Sequence, residues 1–296
     1  MTDRLTWERD GRDWPNREAS RFVRAAGIRW HVQQMGTGPI LLLLHGTGAA
    51  THSWRSLAPL LANRFTVIAP DLPGHGFTQA PPSHRLSLPG MAQSLRGLLE
   101  ALGASPAMAA GHSAGAAILA RMSLDGTIAP RRLVSLNGAL LPLRGAPGHL
   151  FAPLAKLMAS VPLVPRLFAW HAAERRVVER LIRETGSTLD PAGLEFYRRL
   201  ARNPGHVAAA LGMMANWELD ALKRDLPRLQ APLVLVVGAN DRTIPPADSS
   251  RVQILLPKAT LVTLPGLGHL AHEERPQDVA DLIVRQARSA RLFAGS

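Results

Sequence analysis

The chain has no cysteine among its 296 residues. It therefore forms neither a disulfide bond nor a zinc site built on thiolates, and a reducing compartment is compatible with it. Internal repeats and low-complexity tracts are also missing. These absences argue against repeat and disordered classes of protein.

Long apolar runs are absent as well. No stretch of about 18 consecutive apolar residues occurs, so the sequence predicts no membrane-spanning helix. Residues 1–10 are rich in charge and lack the apolar core of a signal peptide. We therefore expect a cytoplasmic protein, with peripheral association at a membrane as the alternative.

Acidic residues are fewer than basic ones. The 34 Lys and Arg residues, nearly all of them Arg, against 22 Asp and Glu leave a formal net charge of +12. Such a balance attracts nucleic acid, anionic lipid or acidic substrates. The basic residues are interleaved with acids, however, and aromatic residues make up only 5%. Without a nucleic-acid-binding motif, nucleic acid is not an expected partner. A carboxylate-bearing substrate and an anionic membrane face both stay open.

The 46% of hydrophobic residues is enough to build a buried core in one α/β domain plus an insertion. Residues 20–25 and 28–33 alternate apolar and polar side chains, which predicts an edge hairpin. Apolar segments then alternate with helical patterns, which predicts a mostly parallel eight-stranded sheet with helices on both faces. The other predicted strands are 40–44, 65–69, 106–110, 132–136, 232–238 and 259–264, and the helices lie around 53–62, 86–101, 114–124, 247–255 and 276–288.

The stretch from about residue 143 to residue 226 contains no convincing strand, and helical patterns recur in it. We interpret it as a helical cap inserted after the sixth strand. The predicted core is residues 1–143 and 217–296, and the predicted cap is residues 144–216.

The pentapeptide Gly111-His-Ser-Ala-Gly115 lies between two segments of different character. A short apolar segment, typical of a strand, precedes it, and a segment with strong helix propensity follows it. A strand, G-x-S-x-G and a helix in that order indicate a nucleophile elbow, with Ser113 exposed at a strained turn. Neighbouring backbones approach so closely there that Gly111 and Gly115 have room for little more than hydrogen. We predict Ser113 as the nucleophile.

Serine needs a base, and the base needs an orienting acid. Asp241 and His269 each follow a predicted strand, at the carboxyl ends where catalytic loops of open α/β sheets converge. We predict His269 as general base and then acid, and Asp241 as the group that holds the imidazole tautomer. His272 is the nearest rival base, and Asn137, at the other plausible position for the acid, carries no charge.

The glycine-rich segment His45-Gly-Thr-Gly48 follows the central strand 40–44. An oxyanion hole needs two backbone N–H donors, one after the nucleophile and one from this loop. Ala114 supplies the first, and Thr47 is our first choice for the second, with Gly48 as the alternative. We expect His45 to brace the loop from beneath.

Together these motifs resemble the α/β-hydrolase superfamily, and the resemblance spans nearly the whole chain. It implies the α/β-hydrolase fold, with Asp71 and His75 shaping a loop. Relatives that use an aspartate nucleophile, such as haloalkane dehalogenases and epoxide hydrolases, are disfavoured because residue 113 is serine. The matching segments are 45–48, 71–76, 111–115, 238–241 and 266–269.

Apolar residues at the end of the predicted cap bear on the substrate. Met213, Met214 and Trp217 either pack the cap onto the core or offer a surface to a large, flat ligand. We include them in the predicted substrate pocket, together with Gly48 and His112, whose side chain must point away from the Ser113 hydroxyl.

Two classes of function fit these residues. The first is a serine hydrolase, most simply an esterase, without a metal site or a cofactor. The second is a binding or accessory protein that keeps the fold and the pocket. The Ser-Asp-His set favours the enzyme, although lyases, perhydrolases and carbon–carbon hydrolases share this triad.

Four further stretches resemble the magnesium-chelatase accessory proteins of bacteriochlorophyll biosynthesis: residues 14–23, 136–143, 205–217 and 267–276. The resemblance implies a role in tetrapyrrole metabolism near magnesium insertion in a photosynthetic bacterium, and contact with magnesium chelatase. It fits both classes of function. A large apolar substrate such as a tetrapyrrole would suit the cap, and arginines would suit its propionates.

Overall fold

Eight strands form a single sheet in the order β1-β2-β4-β3-β5-β6-β7-β8. The computed structural model describes residues 4–142, 163–171 and 174–293. β2 runs antiparallel to β1 and β4, and all other pairs are parallel, which confirms the predicted sheet. The strands are Ser20–Ala25 (β1), Ile28–Met35 (β2), Ile40–Leu44 (β3), Thr66–Pro70 (β4), Met108–His112 (β5), Arg132–Leu136 (β6), Leu233–Gly238 (β7) and Thr260–Leu264 (β8).

The central strand β3 is apolar throughout because helices cover both faces of the sheet. Leu42 and Leu44 pack toward the helices at residues 88–102 and 114–124, while Leu41 and Leu43 pack toward the helices at residues 57–62 and 276–289. The helices are Trp7–Asp10 (α1), Leu57–Ala62 (α2), Leu88–Leu102 (α3), Ala114–Leu124 (α4), Leu163–His171 (α5), Arg175–Glu184 (α6), Pro191–Ala201 (α7), Pro204–Ala215 (α8), Asp220–Asp225 (α9), Pro246–Leu255 (α10), Ala271–Glu274 (α11) and Pro276–Ser289 (α12).

The helix expected around residues 53–62 is divided into a 3₁₀ turn at Thr51–Trp54 and the α-helix α2. Proline explains the division. Pro59 has no N–H to bond the carbonyl of Arg55, and its ring would clash with that carbonyl, so α2 begins at Leu57. Strand β5 also ends later than expected, because Gly111 and His112 continue the pairing with β6.

Helices α5 to α9 lie between β6 and β7, and the described residues of this interval contain no strand. The predicted boundary at residues 143/144 and the following residues up to 162 lie outside the described residues. At the other end, α8 closes at Ala215, one residue before the end predicted for the cap. Within the described ranges, no helix combines the length and hydropathy needed to cross a membrane.

Candidate active site

Ser113 joins β5 to α4 with a backbone conformation that an L-residue rarely adopts, φ 51° and ψ −117°. The glycines of the pentapeptide explain how the turn closes. A Cβ on Gly115 would collide with the carbonyl oxygen of Leu44, and one on Gly111 would collide with the backbone of Gly115 and Ala116. The turn therefore stores strain at the predicted nucleophile, held by the packing of strand against helix.

Asp241 and His269 meet at the carboxyl ends of β7 and β8. His269 Nδ1 lies 2.8 Å from Asp241 Oδ2, and both side chains are almost completely buried. The other carboxylate oxygen of Asp241 accepts the backbone N–H groups of Thr243 and Ile244 at 2.8 and 2.9 Å. The turn that begins at Asp241 thus fixes the carboxylate, and the carboxylate orients the imidazole.

Asn137 belongs to this group, whereas the sequence indicates its position only as another place for the acid. Its side-chain amide donates to Asp241 Oδ2 at 2.7 Å and to the carbonyl of Gly268 at 3.3 Å. Asn137 has a positive φ of 47°, which asparagine tolerates better than most residues. Its place directly after β6, at the same edge of the sheet as Asp241 and His269, is the signal that could have identified it.

His112 contacts the loop that carries His269 and stabilises it. Its Nε2 lies 3.0 Å from the backbone carbonyl of His269, and the two rings are 4.7 Å apart. Burial lowers the pKa of His112 well below its ordinary value, so the ring is neutral and Nε2 donates this hydrogen bond. His112 therefore supports the base through the backbone.

His272, the rival base, bonds elsewhere. Its Nε2 lies 2.9 Å from the hydroxyl of Ser53, on the 3₁₀ turn before α2. Burial, together with the nearby His269 and Arg55, lowers the pKa of His272 to about 3. The ring is thus a neutral packing group between α11 and that turn.

The loop after β3 forms a turn, in which the N–H of Ala49 donates to the carbonyl of Gly46 at 3.2 Å. Thr47 and Gly48 are its two central residues, and Gly48 has a φ of +78°. A Cβ on Gly46 would lie 3.0 Å from Cβ of Ser113, so the loop lies directly against the elbow. Ala114 is the first residue of α4, whose N-terminal amides favour negative charge.

His45 braces this turn. Its Nδ1 lies 2.8 Å from the carbonyl of Gly46, and its Nε2 accepts the N–H of Leu72 at 2.9 Å. These two bonds define a neutral ring with the proton on Nδ1. Burial lowers the pKa of His45, which keeps it in that form.

Asp71 shapes the loop after β4. Its carboxylate lies 2.8 Å from His31 Nδ1 and accepts the backbone N–H groups of Thr51 and Phe77. Hydrogen bonds and the neighbouring His31 hold the pKa of Asp71 below its usual range despite complete burial. His75 is completely buried in the same loop.

The residues predicted to line a pocket lie in different surroundings. Met213 is completely buried and receives a hydrogen bond from the Thr47 hydroxyl at 3.4 Å, so in this conformation it offers no surface to a ligand. Met214 and Trp217 are half-buried. Trp217 packs against the core cluster that includes Met213 and Leu219. Among the described residues, no group of three His, Asp or Glu side chains could hold a metal ion.

The fold and this arrangement define the class of the protein. Residues 39–276 match the family model described as the alpha/beta hydrolase fold, and the chain belongs to that family. The chain is also 40% identical to the magnesium-chelatase 30 kDa subunit of Rhodobacter capsulatus, over 92% of this chain and 95% of that protein. Both resemblances inferred from the sequence are therefore confirmed.

Other relatives are more distant. The sn-1-specific diacylglycerol lipase ABHD11 of Mus musculus is 26% identical over 83% of this chain and 80% of its own. Among solved structures, an alpha/beta hydrolase fold protein from Burkholderia ambifaria superposes with a TM-score of 0.77. It is 25% identical and covers 90% of this chain and 97% of its own. The family thus includes hydrolases as well as the chelatase subunit.

Proposed function

We propose that this protein is a serine hydrolase that acts on an ester of a tetrapyrrole intermediate. The observation that carries the proposal is the buried pair of His269 and Asp241 at the carboxyl ends of β7 and β8. These strand ends belong to the same sheet edge as the elbow that bears Ser113. Because Nδ1 of His269 faces the carboxylate, Nε2 is the ring nitrogen left for proton transfer.

In the proposed reaction, Ser113 Oγ attacks the acyl carbon while His269 Nε2 takes the hydroxyl proton. The backbone N–H groups of Ala114 and Thr47, with Gly48 as the alternative to Thr47, stabilise the oxyanion. Collapse of the tetrahedral intermediate breaks the ester C–O bond, and the leaving alcohol takes the proton from His269. Water then attacks the acyl-enzyme, gives a proton to His269 and releases the acid as that proton returns to Ser113.

The choice of a tetrapyrrole rests on similarity and on charge. The relative at 40% identity is named as a subunit of magnesium chelatase, and this chain carries a net charge of +12 that would attract propionate groups. Met214 and Trp217 are half-buried near the end of α8, where an apolar ring system could contact them. Contact with magnesium chelatase is part of this proposal, as is binding at a membrane surface.

A fluorophosphonate probe tests the nucleophile. Wild-type protein should be labelled, and Ser113→Ala should not be labelled, because a hydroxyl activated by His269 is the group expected to react. Folded wild-type protein that resists the probe would refute the catalytic assignment. Calorimetric titration with protoporphyrin and with its methyl ester, followed by mass analysis of the products, then tests the substrate.

The alternative is a non-catalytic accessory protein that binds a porphyrin for magnesium chelatase. The name of the 40% identical relative favours this second function. Equal porphyrin binding by wild type and Ser113→Ala, with no labelling and no product, would support it. Labelling without any porphyrin binding would leave an esterase with another substrate.

A further inference from the structure

Helix α8 touches the turn around Thr47 and Gly48 through one face. His206, Ala209 and Met213 are spaced three and four residues apart and therefore share a side of the helix. His206 Nε2 lies 3.1 Å from the carbonyl of Gly48, and Met213 Sδ lies 3.4 Å from Thr47 Oγ1. These three residues belong to the segment 205–217, and the proposed reaction gives none of them a role.

The neighbouring loop comes just as close to α8. His206 Nδ1 accepts the backbone N–H of Gly76 at 3.1 Å. A Cβ on Gly74 would lie 2.5 Å from Cβ of Ala209, so a side chain there would push the helix away. His206 thus bridges two loops that leave adjacent strands, β3 and β4.

The two bonds of His206 define one form of its ring. An acceptor at Nδ1 and a donor at Nε2 require a neutral imidazole that carries its proton on Nε2. Burial lowers the pKa of His206 to about 4, which keeps the ring neutral near pH 7. The N-cap Asn203, which accepts the N–H of His206 at 3.0 Å, fixes where this residue stands in the helix.

The bond to Gly48 acts on the peptide that closes the turn. The N–H of Ala49 donates to the carbonyl of Gly46 at 3.2 Å, and the carbonyl of Gly48 accepts from His206. The peptide between Gly48 and Ala49 is therefore fixed at both ends. A peptide held in this way limits rotation of the preceding peptide, which carries the amide of Gly48, and through the closed turn it also restrains the amide of Thr47.

We propose that His206 is a positioning residue for the oxyanion hole, which it holds in its working conformation from the cap side through the carbonyl of Gly48. The inference rests on the proposed hydrolase function. It makes α8 a wall of the reaction centre, beyond any role as a cover over the substrate. Displacement of α8 would therefore disturb catalysis as well as access.

The test compares three variants in α8. His206→Phe keeps a ring of similar size and removes both hydrogen bonds, and His206→Gln keeps a terminal N–H donor. Val207→Ala is the matched control, because Val207 is buried in the same helix and makes no hydrogen bond with its side chain. Removal of one oxyanion donor lowers kcat by about 10²–10³-fold. Misplacing it through His206→Phe should lower kcat on a p-nitrophenyl ester by about 10–100-fold and change KM by less than about 3-fold.

Two further readouts separate positioning from general destabilisation. A trifluoromethyl ketone inhibitor forms an oxyanion on the enzyme, so its affinity should fall by about the same factor as kcat. In hydrogen–deuterium exchange, amides of residues 45–50 should exchange faster in His206→Phe than in Val207→Ala. His206→Gln should recover part of both losses.

An unchanged inhibitor affinity in His206→Phe, or equal losses in Val207→Ala, would overturn the inference. Wild-type protein that hydrolyses no ester and resists the fluorophosphonate would refute the hydrolase function instead. In that case the hydrogen–deuterium exchange rates of residues 45–50 decide alone whether His206 holds this turn. Unchanged rates in His206→Phe would show that it does not.

Discussion

The side-chain amide of Asn137 donates to the same carboxylate oxygen of Asp241 that faces His269 Nδ1, at 2.7 and 2.8 Å respectively. The carboxylate therefore has a neutral donor on one side and the imidazole on the other. Asn137 thus donates a hydrogen bond to the carboxylate without competing for the proton of His269. Its bond to the carbonyl of Gly268 also links it to the loop of the base.

Substitution Asn137→Asp should disturb the predicted pair of Asp241 and His269. A second negative charge beside Asp241 would favour the protonated form of His269, whereas the proposed reaction needs the neutral imidazole as its base. The acid limb of the pH profile of kcat/KM for a p-nitrophenyl ester should move upward by about one unit or more. Asn137→Gly, which accepts the positive φ, serves as the control. A profile unchanged in Asn137→Asp would show that the amide does not act on Asp241.

Substitution Asp241→Asn should leave the fold intact and lower kcat by roughly 10⁴, the size seen when a triad aspartate is replaced by its amide. The reason is that an amide can donate to Nδ1 and so stabilise the wrong tautomer of His269. Steady-state hydrolysis measures the loss, and circular dichroism checks the fold. Turnover within a factor of a few of wild type would mean that another group is the acid.

Stability should fall in mild acid. Six buried histidines among the described residues have a pKa below the ordinary value, chiefly because burial disfavours their charged form: His45, His52, His75, His112, His206 and His272. In the unfolded chain each titrates near pH 6.5. Between that pH and the folded values, about 4 for His206 and about 3 for His272, the unfolded state binds more protons. Stability is therefore lost as the pH falls below about 6.5.

Glu273 acts in the opposite direction. It pairs with Arg55 and accepts the hydroxyl of Tyr197 at 2.7 Å, and burial raises its pKa to about 7. Its contribution to the free energy of unfolding is fully present below pH 4.5 and is lost as the pH rises toward 7. One carboxyl opposes six imidazoles, so the urea midpoint should still fall from pH 7 to pH 5. A midpoint that rose over this range would contradict the expected direction.

Substitution His52→Phe should make the protein less sensitive to acid. Both ring nitrogens of His52 are buried without a hydrogen-bond partner, and the ring packs against Trp14, Phe196 and Tyr197. Phenylalanine removes a group that must stay neutral and two unsatisfied polar atoms. The slope of stability against pH near pH 6 should fall by up to about 1.4 kcal/mol per pH unit. Urea unfolding at several pH values measures this slope, and a slope as steep as wild type would refute the expectation.

Trp217→Ala tests the pocket. The half-buried indole should contact a large aromatic ligand more than a small ester, so the Kd for protoporphyrin should rise more than KM for a short-chain ester. Trp170→Ala is the matched control, because Trp170 is 77% exposed on α5. Calorimetry and steady-state kinetics provide the two values. Equal losses for both ligands would assign Trp217 to packing alone.

Local patterns in the sequence determined the fold and the identity of the predicted triad. The elbow needs glycine at residues 111 and 115 because backbones meet there, and that need is visible without the structure. The same holds for Asp241 and His269, because parallel strands bring their carboxyl ends to one edge whatever the details of packing. The periodicity of apolar residues and the geometry of the backbone therefore suffice to predict the fold and these three residues.

Tertiary structure alone decided how the side chains are paired. Asn137 meets Asp241 across 104 residues, and His206 meets Gly48 across 158. No local pattern encodes such a pairing, because it depends on which backbone carbonyl a distant helix leaves within reach. Met213 shows the same limit: its helical position suggested a pocket, whereas the packing of α8 on the turn at Thr47 buries it completely.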